Sequence, residues 1–206
     1  MTKTIISVYF NATGEDNFFP NERYQGAPPR ASLSSILHRM TVKNNSSLFS
    51  ICIKGCSIKN PYKKDLGYLF TWNLEKQVSE TTDKIIKIIN QSKNKVIVNI
   101  FGSSRGGIAA FLLCKKLSKI STHRLELNVL AFEPVPGNFI TTTQMDFLAK
   151  TNYSLSSKVV DLSDCQNIKN MLILFTNKPM PHHSGHAPLL PILPKKSFTE
   201  VDIMPG

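Results

Sequence analysis

The sequence contains few cysteines and no long apolar run. Its four cysteines, at positions 52, 56, 114 and 165, are too few to imply a disulfide framework. Cys52 and Cys56 lack the close His or Cys partners of a zinc site, so we expect no metal and no cofactor. The apolar run at 5–10 is too short for the core of a signal peptide, and no segment approaches the length of a membrane span. Any membrane contact should therefore be peripheral.

The sequence also lacks an arginine-rich helix and an aromatic-basic ribonucleoprotein motif. Lys and Arg total 25 against 14 Asp and Glu, which leaves a net charge of +11 that favours anionic surfaces. The basic residues are scattered in small groups such as Lys63-Lys64 and Lys115-Lys116. We therefore expect no nucleic-acid partner. Peripheral contact with an anionic membrane ranks above nucleic acid, and a solvated basic surface is the simplest alternative.

The apolar pattern predicts a single α/β domain over residues 1–206, a length that can bury one sizeable core. Turn residues separate runs that are rich in β-branched and aromatic side chains, and these runs indicate strands at 4–10, 49–53, 95–101, 125–132, 170–176 and 198–204. Helical spacing appears at 74–90 and 107–117. Strands that alternate with helices predict a mostly parallel sheet with helices on both faces. The Pro- and Asn-rich stretch from Glu15 to about Ser35 predicts a long surface loop.

A Gly-x-Ser-x-Gly pentapeptide directly follows the third predicted strand and leads into a predicted helix. In this pattern the serine occupies a tight strand-to-helix turn, and its neighbours must be small because other backbone passes close to them. Gly102 and Gly106 meet that requirement for Ser104 but not for Ser103, so Ser104 is the candidate nucleophile. At the start of a helix, the N–H of Arg105 would point to where an oxyanion forms. A glycine-serine turn without a catalytic role is the alternative.

The Ser-Arg-Gly-Gly run that begins at Ser104 resembles the elbow of bacterial hydrolase domains with a G-[FHS]-S-R-G-[AG] motif. That group includes the phospholipase effectors delivered by type VI secretion. Its first strand ends in an Asp-Gly-Thr-Gly-like turn, to which Asn11, Ala12 and Thr13 are similar, with Asn and Ala in place of Asp and Gly. The resemblance implies an α/β-hydrolase fold, Thr13 on the oxyanion turn, and a lipid ester as the favoured substrate. It also implies a protein of the bacterial cytoplasm or a secreted effector without a classical signal peptide.

A hydrolase of this kind needs an acid and then a histidine after the serine, each on a loop that follows a later strand. The strand at 125–132 is followed by Glu133 in a Glu-Pro-Val-Pro-Gly segment, which resembles the Asp-x-Val-x-Gly segment of the family. Glu133 is therefore the candidate acid, with a solvated loop glutamate as the alternative. Asp161 and Asp164 are the reserve candidates.

Three histidines, His182, His183 and His186, cluster after the strand at 170–176, and any of them could reach the serine. His186 is our candidate base, and a structural loop histidine is the alternative. In the family, however, the base follows the last strand in a Pro-Gly-x-His turn, and this sequence stops on Pro-Gly. We therefore also expect the chain to be the N-terminal part of a longer protein whose base lies beyond Gly206.

These residues together predict a serine hydrolase that acts on a small-molecule or lipid ester, or on another acyl bond. Ser104 would attack the carbonyl, a histidine would act as base, and Glu133 would orient that histidine. The alternative function is a non-catalytic hydrolase fold that serves as an interaction module, which would be consistent with the altered turn at Asn11 and Ala12.

Overall fold

Runs of β-branched and aromatic residues form the strands of the sheet, because such side chains pack well on a pleated surface. The structure is a computed structural model that describes residues 3–13, 15, 32–44, 49–56, 73–136, 157–176, 189–195 and 198–204. Its elements in chain order are β1 (Thr4–Phe10), α1 (Leu33–Asn44), β2 (Phe49–Ile53), α2 (Leu74–Gln91), β3 (Val96–Ser103), α3 (Arg105–Leu117), β4 (Leu125–Phe132), β5 (Ile168–Thr176) and β6 (Phe198–Met204).

All described strands pair in parallel, in the order β2-β1-β3-β4-β5-β6. The chain moves from β1 to one neighbour, β2, and later returns past β1 to form β3 on the other side. The direction of travel across the sheet therefore reverses at β1. Such a switch point opens a crevice at the carboxyl ends of the two adjacent strands, which is the usual ligand position in an open α/β sheet.

The helices cover the two faces of the sheet unequally. Val78 of α2 and Ile108 of α3 belong to one buried cluster with Val8 of β1 and Val98 of β3. Successive side chains of a strand point to opposite faces, so Tyr9 points away from that cluster. Its hydroxyl lies 2.6 Å from Thr41 Oγ1 of α1, which places α1 on the other face.

Helix α3 is buried along most of its length, from Arg105 to Cys114 and again at Leu117. It packs against both the sheet and α2. The stretch from Ile108 to Cys114 carries no polar side chain, so it must be enclosed in this way. The enclosure fixes the position of the turn from which α3 starts.

The fold expected from the sequence is confirmed, with a parallel sheet and helices on both faces. Two local differences are instructive. Helix α3 begins at Arg105, directly after the elbow, rather than at the predicted position 107. Helix α1 was not predicted, and Leu33, Ile36 and Met40 on it are exposed, so its apolar side chains do not mark the face that packs on the sheet. Within the described residues, no helix is both long and apolar enough to cross a membrane.

Candidate active site

The candidate site lies at the carboxyl edge of the sheet, where β1, β3 and β4 end side by side. Phe10, the last residue of β1, is in register with Gly102 of β3. Main-chain hydrogen bonds join the elbow after β3 to the loop after β4. The N–H of Ser104 donates to the carbonyl of Phe132 at 2.8 Å, and the N–H of Val135 donates to the carbonyl of Ser104 at 3.2 Å. The turns that follow these strands therefore form one continuous surface.

Ser104 occupies the tip of a sharp turn between β3 and α3. Its backbone has φ 53° and ψ −121°, a conformation that L-residues rarely adopt and that costs about 1–3 kcal/mol. The hydroxyl makes no capping hydrogen bond with α3, although a serine at that position ordinarily caps its helix. Ser104 is thus half-buried at the turn, and its side chain does not cap the helix.

The two glycines of the pentapeptide allow the turn to pack against other backbone. A Cβ at Gly102 would lie 2.1 Å from the carbonyl oxygen of Gly106. A Cβ at Gly106 would lie 2.4 Å from the carbonyl oxygen of Phe10 and 2.8 Å from that of Asn11. All three distances are far below van der Waals contact, so neither position accepts a larger residue without movement of main chain. The spacing that singled out Ser104 in the sequence therefore has a physical basis here.

Arg105 follows Ser104 as the first residue of α3, where the positive end of the helix dipole lies. Its side chain is buried, with 7% of the residue exposed, and Nη1 donates to Thr13 Oγ1 at 3.0 Å. Burial lowers the pKa of Arg105, and the nearby Cys56 opposes that shift; the guanidinium remains charged at neutral pH. Thr13 Oγ1 also lies 3.5 Å from Cys56 Sγ. The sequence suggested the main-chain role of Arg105 but not this side-chain contact.

The turn after β1 is held by Asn11, which is 3% exposed. Its Nδ2 group donates to the carbonyl of Ile53 at 2.9 Å, and its Oδ1 accepts a hydrogen bond from the hydroxyl of Ser32. The main-chain N–H of Asn11 donates to the same carbonyl at 3.1 Å. Asn11 therefore fixes the start of the turn to the end of β2 and to the residue before α1. An aspartate, as in the resembling family, could not donate to Ile53 when ionised.

Glu15, which the sequence places at the start of a predicted surface loop, also brings a carboxylate to this edge. One of its carboxylate oxygens accepts the N–H of Ala12 at 3.0 Å. Its carbonyl accepts the N–H of Gly55 at 2.9 Å. Burial raises the pKa of Glu15, against the opposing effect of the hydrogen bond from Ala12. No residue spacing in the sequence signals such a local contact.

Glu133 lies at the same edge as Ser104, directly after β4. Its backbone is in the left-handed region, with φ 43°. Its N–H donates to the carbonyl of Leu174 in β5 at 2.9 Å. The structure thus brings the candidate acid and the candidate nucleophile to adjacent strand ends, with Glu133 held from both β4 and β5.

The reserve acids lie elsewhere. Asp164 forms an ion pair with Lys115 in the last turn of α3. A helix rises about 1.5 Å per residue, so that pair is roughly 15 Å along the axis from Arg105. The carboxylate of Asp161 accepts the N–H of Ser163 at 2.9 Å. Hydrogen bonds from Ser163, and then the charge of Lys115, lower the pKa of Asp161, which places Asp161 in the same region. Neither aspartate is at the elbow.

The candidate bases His182, His183 and His186 lie outside the described residues. Of the other histidines, His38 Nδ1 lies 2.7 Å from Ser50 Oγ, between α1 and β2. Burial and the charge of Arg39 lower the pKa of His38. His123 lies in the turn that precedes β4, at the opposite edge of the sheet from Ser104. The role of His186 therefore remains a prediction from the sequence.

The strand order and the strained serine at a strand-to-helix turn define an α/β-hydrolase-like fold. Solved structures share it: a Lactobacillus plantarum WCFS1 protein assigned as a cell surface hydrolase has 10% identity over 100% of this chain and 84% of its own, with a TM-score of 0.52. An uncharacterised Pseudomonas aeruginosa protein has 12% identity over 99% of this chain and 41% of its own, with a TM-score of 0.52. Est1E from Butyrivibrio proteoclasticus has 10% identity over 99% of this chain and 79% of its own, with a TM-score of 0.50. No protein-family model and no curated protein matches the sequence.

Proposed function

We propose that this protein is a serine hydrolase that cleaves an ester or another acyl bond, with Ser104 as the nucleophile. The observation that carries the proposal is the backbone of Ser104, which is in the left-handed region at the start of α3 while its hydroxyl does not cap that helix. A serine at that position ordinarily caps its helix from the β region of backbone conformation. Strain of this kind persists at sites where the surrounding structure enforces it for function.

In the proposed reaction, Ser104 Oγ attacks the acyl carbonyl carbon while a histidine takes the hydroxyl proton. The carbonyl oxygen becomes an oxyanion that the N–H of Arg105, the turn after β1 and the dipole of α3 stabilise. The histidine then protonates the leaving group, and water hydrolyses the acyl-serine by the reverse sequence. Glu133 orients the imidazole and stabilises its charged form. We assign the base to His186 from the sequence alone.

We propose a lipid ester as the substrate class, in agreement with the resemblance of the Ser104 motif to bacterial phospholipase effectors. The segment at 189–195 supports this choice. The N–H of Leu189 donates to the carbonyl of Pro134 at 2.7 Å, which ties the segment to the acid loop. The next residue, Leu190, is 56% exposed. An exposed apolar side chain next to the acid loop suits acyl chains, and the net charge of +11 suits anionic headgroups.

Hydrolysis of esters with short and long acyl chains, and of anionic phospholipid vesicles, tests the proposal. We expect wild-type protein to release acid, with faster turnover of the longer chains, and Ser104→Ala to lose the activity. Ser103→Ala is the matched control, because Ser103 is the last residue of β3, next to Ser104, and this variant should retain turnover. A folded wild-type protein without turnover of any ester would instead favour the interaction-module alternative or a base that lies beyond Gly206.

A further inference from the structure

The guanidinium of Arg105 is buried beside the proposed nucleophile, where no step of the reaction uses it. Arginine is almost never fully buried unless it is paired, because removing its charge from water is costly. Here the side chain turns inward from the first position of α3 and donates to Thr13 Oγ1 at 3.0 Å, which joins residues 92 positions apart. An exposed arginine at the same position could keep its charge in water and would need no such partner.

The two residues joined by this bond stand on the two halves of an oxyanion hole. In α/β hydrolases, one donor is the N–H of the residue after the nucleophile, and the other is an N–H from the turn after a neighbouring strand. In this chain the first donor would be the N–H of Arg105. The second would come from Thr13 in the turn after β1, because the N–H groups of Asn11 and Ala12 already donate to Ile53 and Glu15. The side chain of Arg105 therefore holds the turn with which its own N–H has to act.

We propose that Arg105 is a positioning residue whose side chain sets the separation of the two oxyanion-hole donors by binding Thr13. This proposal rests on the proposed serine-hydrolase function. The bond acts from the elbow side of the turn. On the β2 side, Asn11 is bonded to Ile53, and Glu15 connects Ala12 to Gly55. The turn is thus held from both sides, and the Arg105–Thr13 bond is the side-chain link between the elbow and Thr13.

Such a constraint matters because donors stabilise an oxyanion only when they lie at the correct distance from it. Errors well below 1 Å are enough to weaken a preorganised site. Packing alone fixes only the base of the turn, where Gly106 meets the carbonyls of Phe10 and Asn11. The Arg105–Thr13 bond extends that fixation to the next residues of the turn. Loss of this bond should reduce the stabilisation of the transition state more than the binding of the substrate, because the substrate carbonyl carries little charge before attack.

Thr13→Val is the decisive variant, since valine keeps the shape of threonine and removes the acceptor hydroxyl. Thr13→Ser restores a hydroxyl and serves as the rescue. Thr82→Val is the matched control, because the buried Thr82 hydroxyl donates to the carbonyl of Val78 within α2 at 2.8 Å and does not contact Thr13 or Arg105 through that bond. For each variant, kcat and KM for one ester are compared with the affinity for phenylboronic acid, which forms a tetrahedral adduct with a reactive serine. Thermal unfolding is recorded in parallel.

We expect Thr13→Val to lower kcat and boronic acid affinity together by roughly tenfold or more, less than the 10²–10³-fold cost of removing a donor outright. KM should change little, and Thr13→Ser and Thr82→Val should stay near wild type. Arg105→Lys should retain a smaller fraction of the wild-type kcat than Thr13→Ser does, because an ammonium cannot reproduce the planar guanidinium. Unchanged kcat and boronic acid affinity in an active Thr13→Val protein would overturn the positioning role alone. A wild-type protein that neither turns over esters nor binds phenylboronic acid would overturn the hydrolase function together with it.

Discussion

Gly106 lies so close to Phe10 that a Cβ on the glycine would be 2.4 Å from the phenylalanine carbonyl oxygen. This contact packs the start of α3 against the end of β1. It brings the elbow and the turn after β1 to the same point of the carboxyl edge. The absence of a side chain at one position thus determines where Ser104 stands relative to its proposed oxyanion turn.

Substitution of Gly106 by Ala should therefore damage both stability and activity. Alanine gains up to about 1 kcal/mol of helix propensity, but overpacking against main chain typically costs about 1–3 kcal/mol. We expect a lower midpoint in urea unfolding and a loss of esterase activity that exceeds the loss of folded protein. Lys116→Ala, at an exposed position in the same helix, is the control. An active Gly106→Ala protein of wild-type stability would show that this contact does not position the elbow.

Glu133→Gln should leave the fold intact and lower kcat by roughly 10³–10⁴-fold, because an amide neither stabilises an imidazolium nor holds the correct tautomer. Steady-state kinetics with a soluble ester measures the effect, and KM should change little. Asp164→Asn is the matched control. Its carboxylate pairs with Lys115 at the far end of α3, and an exposed pair of this kind contributes only about 0–1 kcal/mol. If Asp164→Asn abolishes activity while Glu133→Gln does not, the acid has been assigned to the wrong residue.

Asn11→Asp, which introduces the residue of the resembling family, should destabilise this protein. The Nδ2 donor to Ile53 is lost, and at neutral pH a carboxylate replaces it beside a carbonyl oxygen. An unsatisfied buried group costs about 1–3 kcal/mol, and more when it is charged. The new carboxyl should have a raised pKa, so the destabilisation should grow as the pH rises from 4 to 7. Urea unfolding at several pH values measures this trend, and a variant that is equally stable at all of them would contradict the account of Asn11.

Glu15→Gln should gain stability relative to wild type as the pH rises. Burial raises the pKa of Glu15 from its ordinary value of 4.5, so the folded state binds the proton more tightly than the unfolded chain does. The contribution of Glu15 to the unfolding free energy is therefore fully present below its pKa in the unfolded chain. It is lost as the pH rises through its higher pKa in the folded protein. Glutamine retains the acceptor for Ala12 and does not ionise. The difference in unfolding free energy between the two proteins, measured from pH 4 to pH 7, should move in favour of the variant.

Glu126→Gln provides a control of opposite sign. Burial alone would raise the pKa of Glu126, but hydrogen bonds and charges from Lys95 and Lys169 lower it below 4.5. The two lysines lie 3.0 Å and 3.5 Å from its carboxylate. The ionised glutamate therefore stabilises the fold above its unfolded pKa, and that stability is lost as the pH falls through the lower folded value. Wild type should gain on Glu126→Gln as the pH rises, and the same trend in both pairs would contradict the two assignments.

The strands and the elbow could be predicted because their signals are local. Runs of β-branched residues predict β1 and β3. The spacing of Gly102, Ser104 and Gly106 predicts a turn that forms only where the neighbours of the serine are small. The order of Glu133 after β4 was sufficient to place it at the edge of Ser104, because parallel strands end together. These inferences need no knowledge of which distant residues meet.

Contacts between distant segments could not be predicted in the same way. The bond from Arg105 to Thr13 forms because β1 and β3 are neighbours in the sheet, and neither segment contains a sequence pattern that predicts this pairing. Glu15 follows a turn and precedes a polar stretch, so neither its burial nor its main-chain bond to Gly55 has a signature in the sequence. Helix α1 was missed because its exposed apolar residues obscure the usual period. In each case tertiary packing, rather than local pattern, decided the outcome.

The most direct test of the central claim is the site of covalent labelling by a fluorophosphonate, which reacts with activated serines. Intact-protein and peptide mass spectrometry after exposure of wild type, Ser104→Ala and Ser103→Ala to the probe locates the adduct. We expect one adduct in wild type, on the peptide that contains Ser104, retained in Ser103→Ala and absent from Ser104→Ala. A folded wild-type protein that carries no adduct, or that carries it at another residue, would contradict the assignment of Ser104 as the nucleophile of a serine hydrolase.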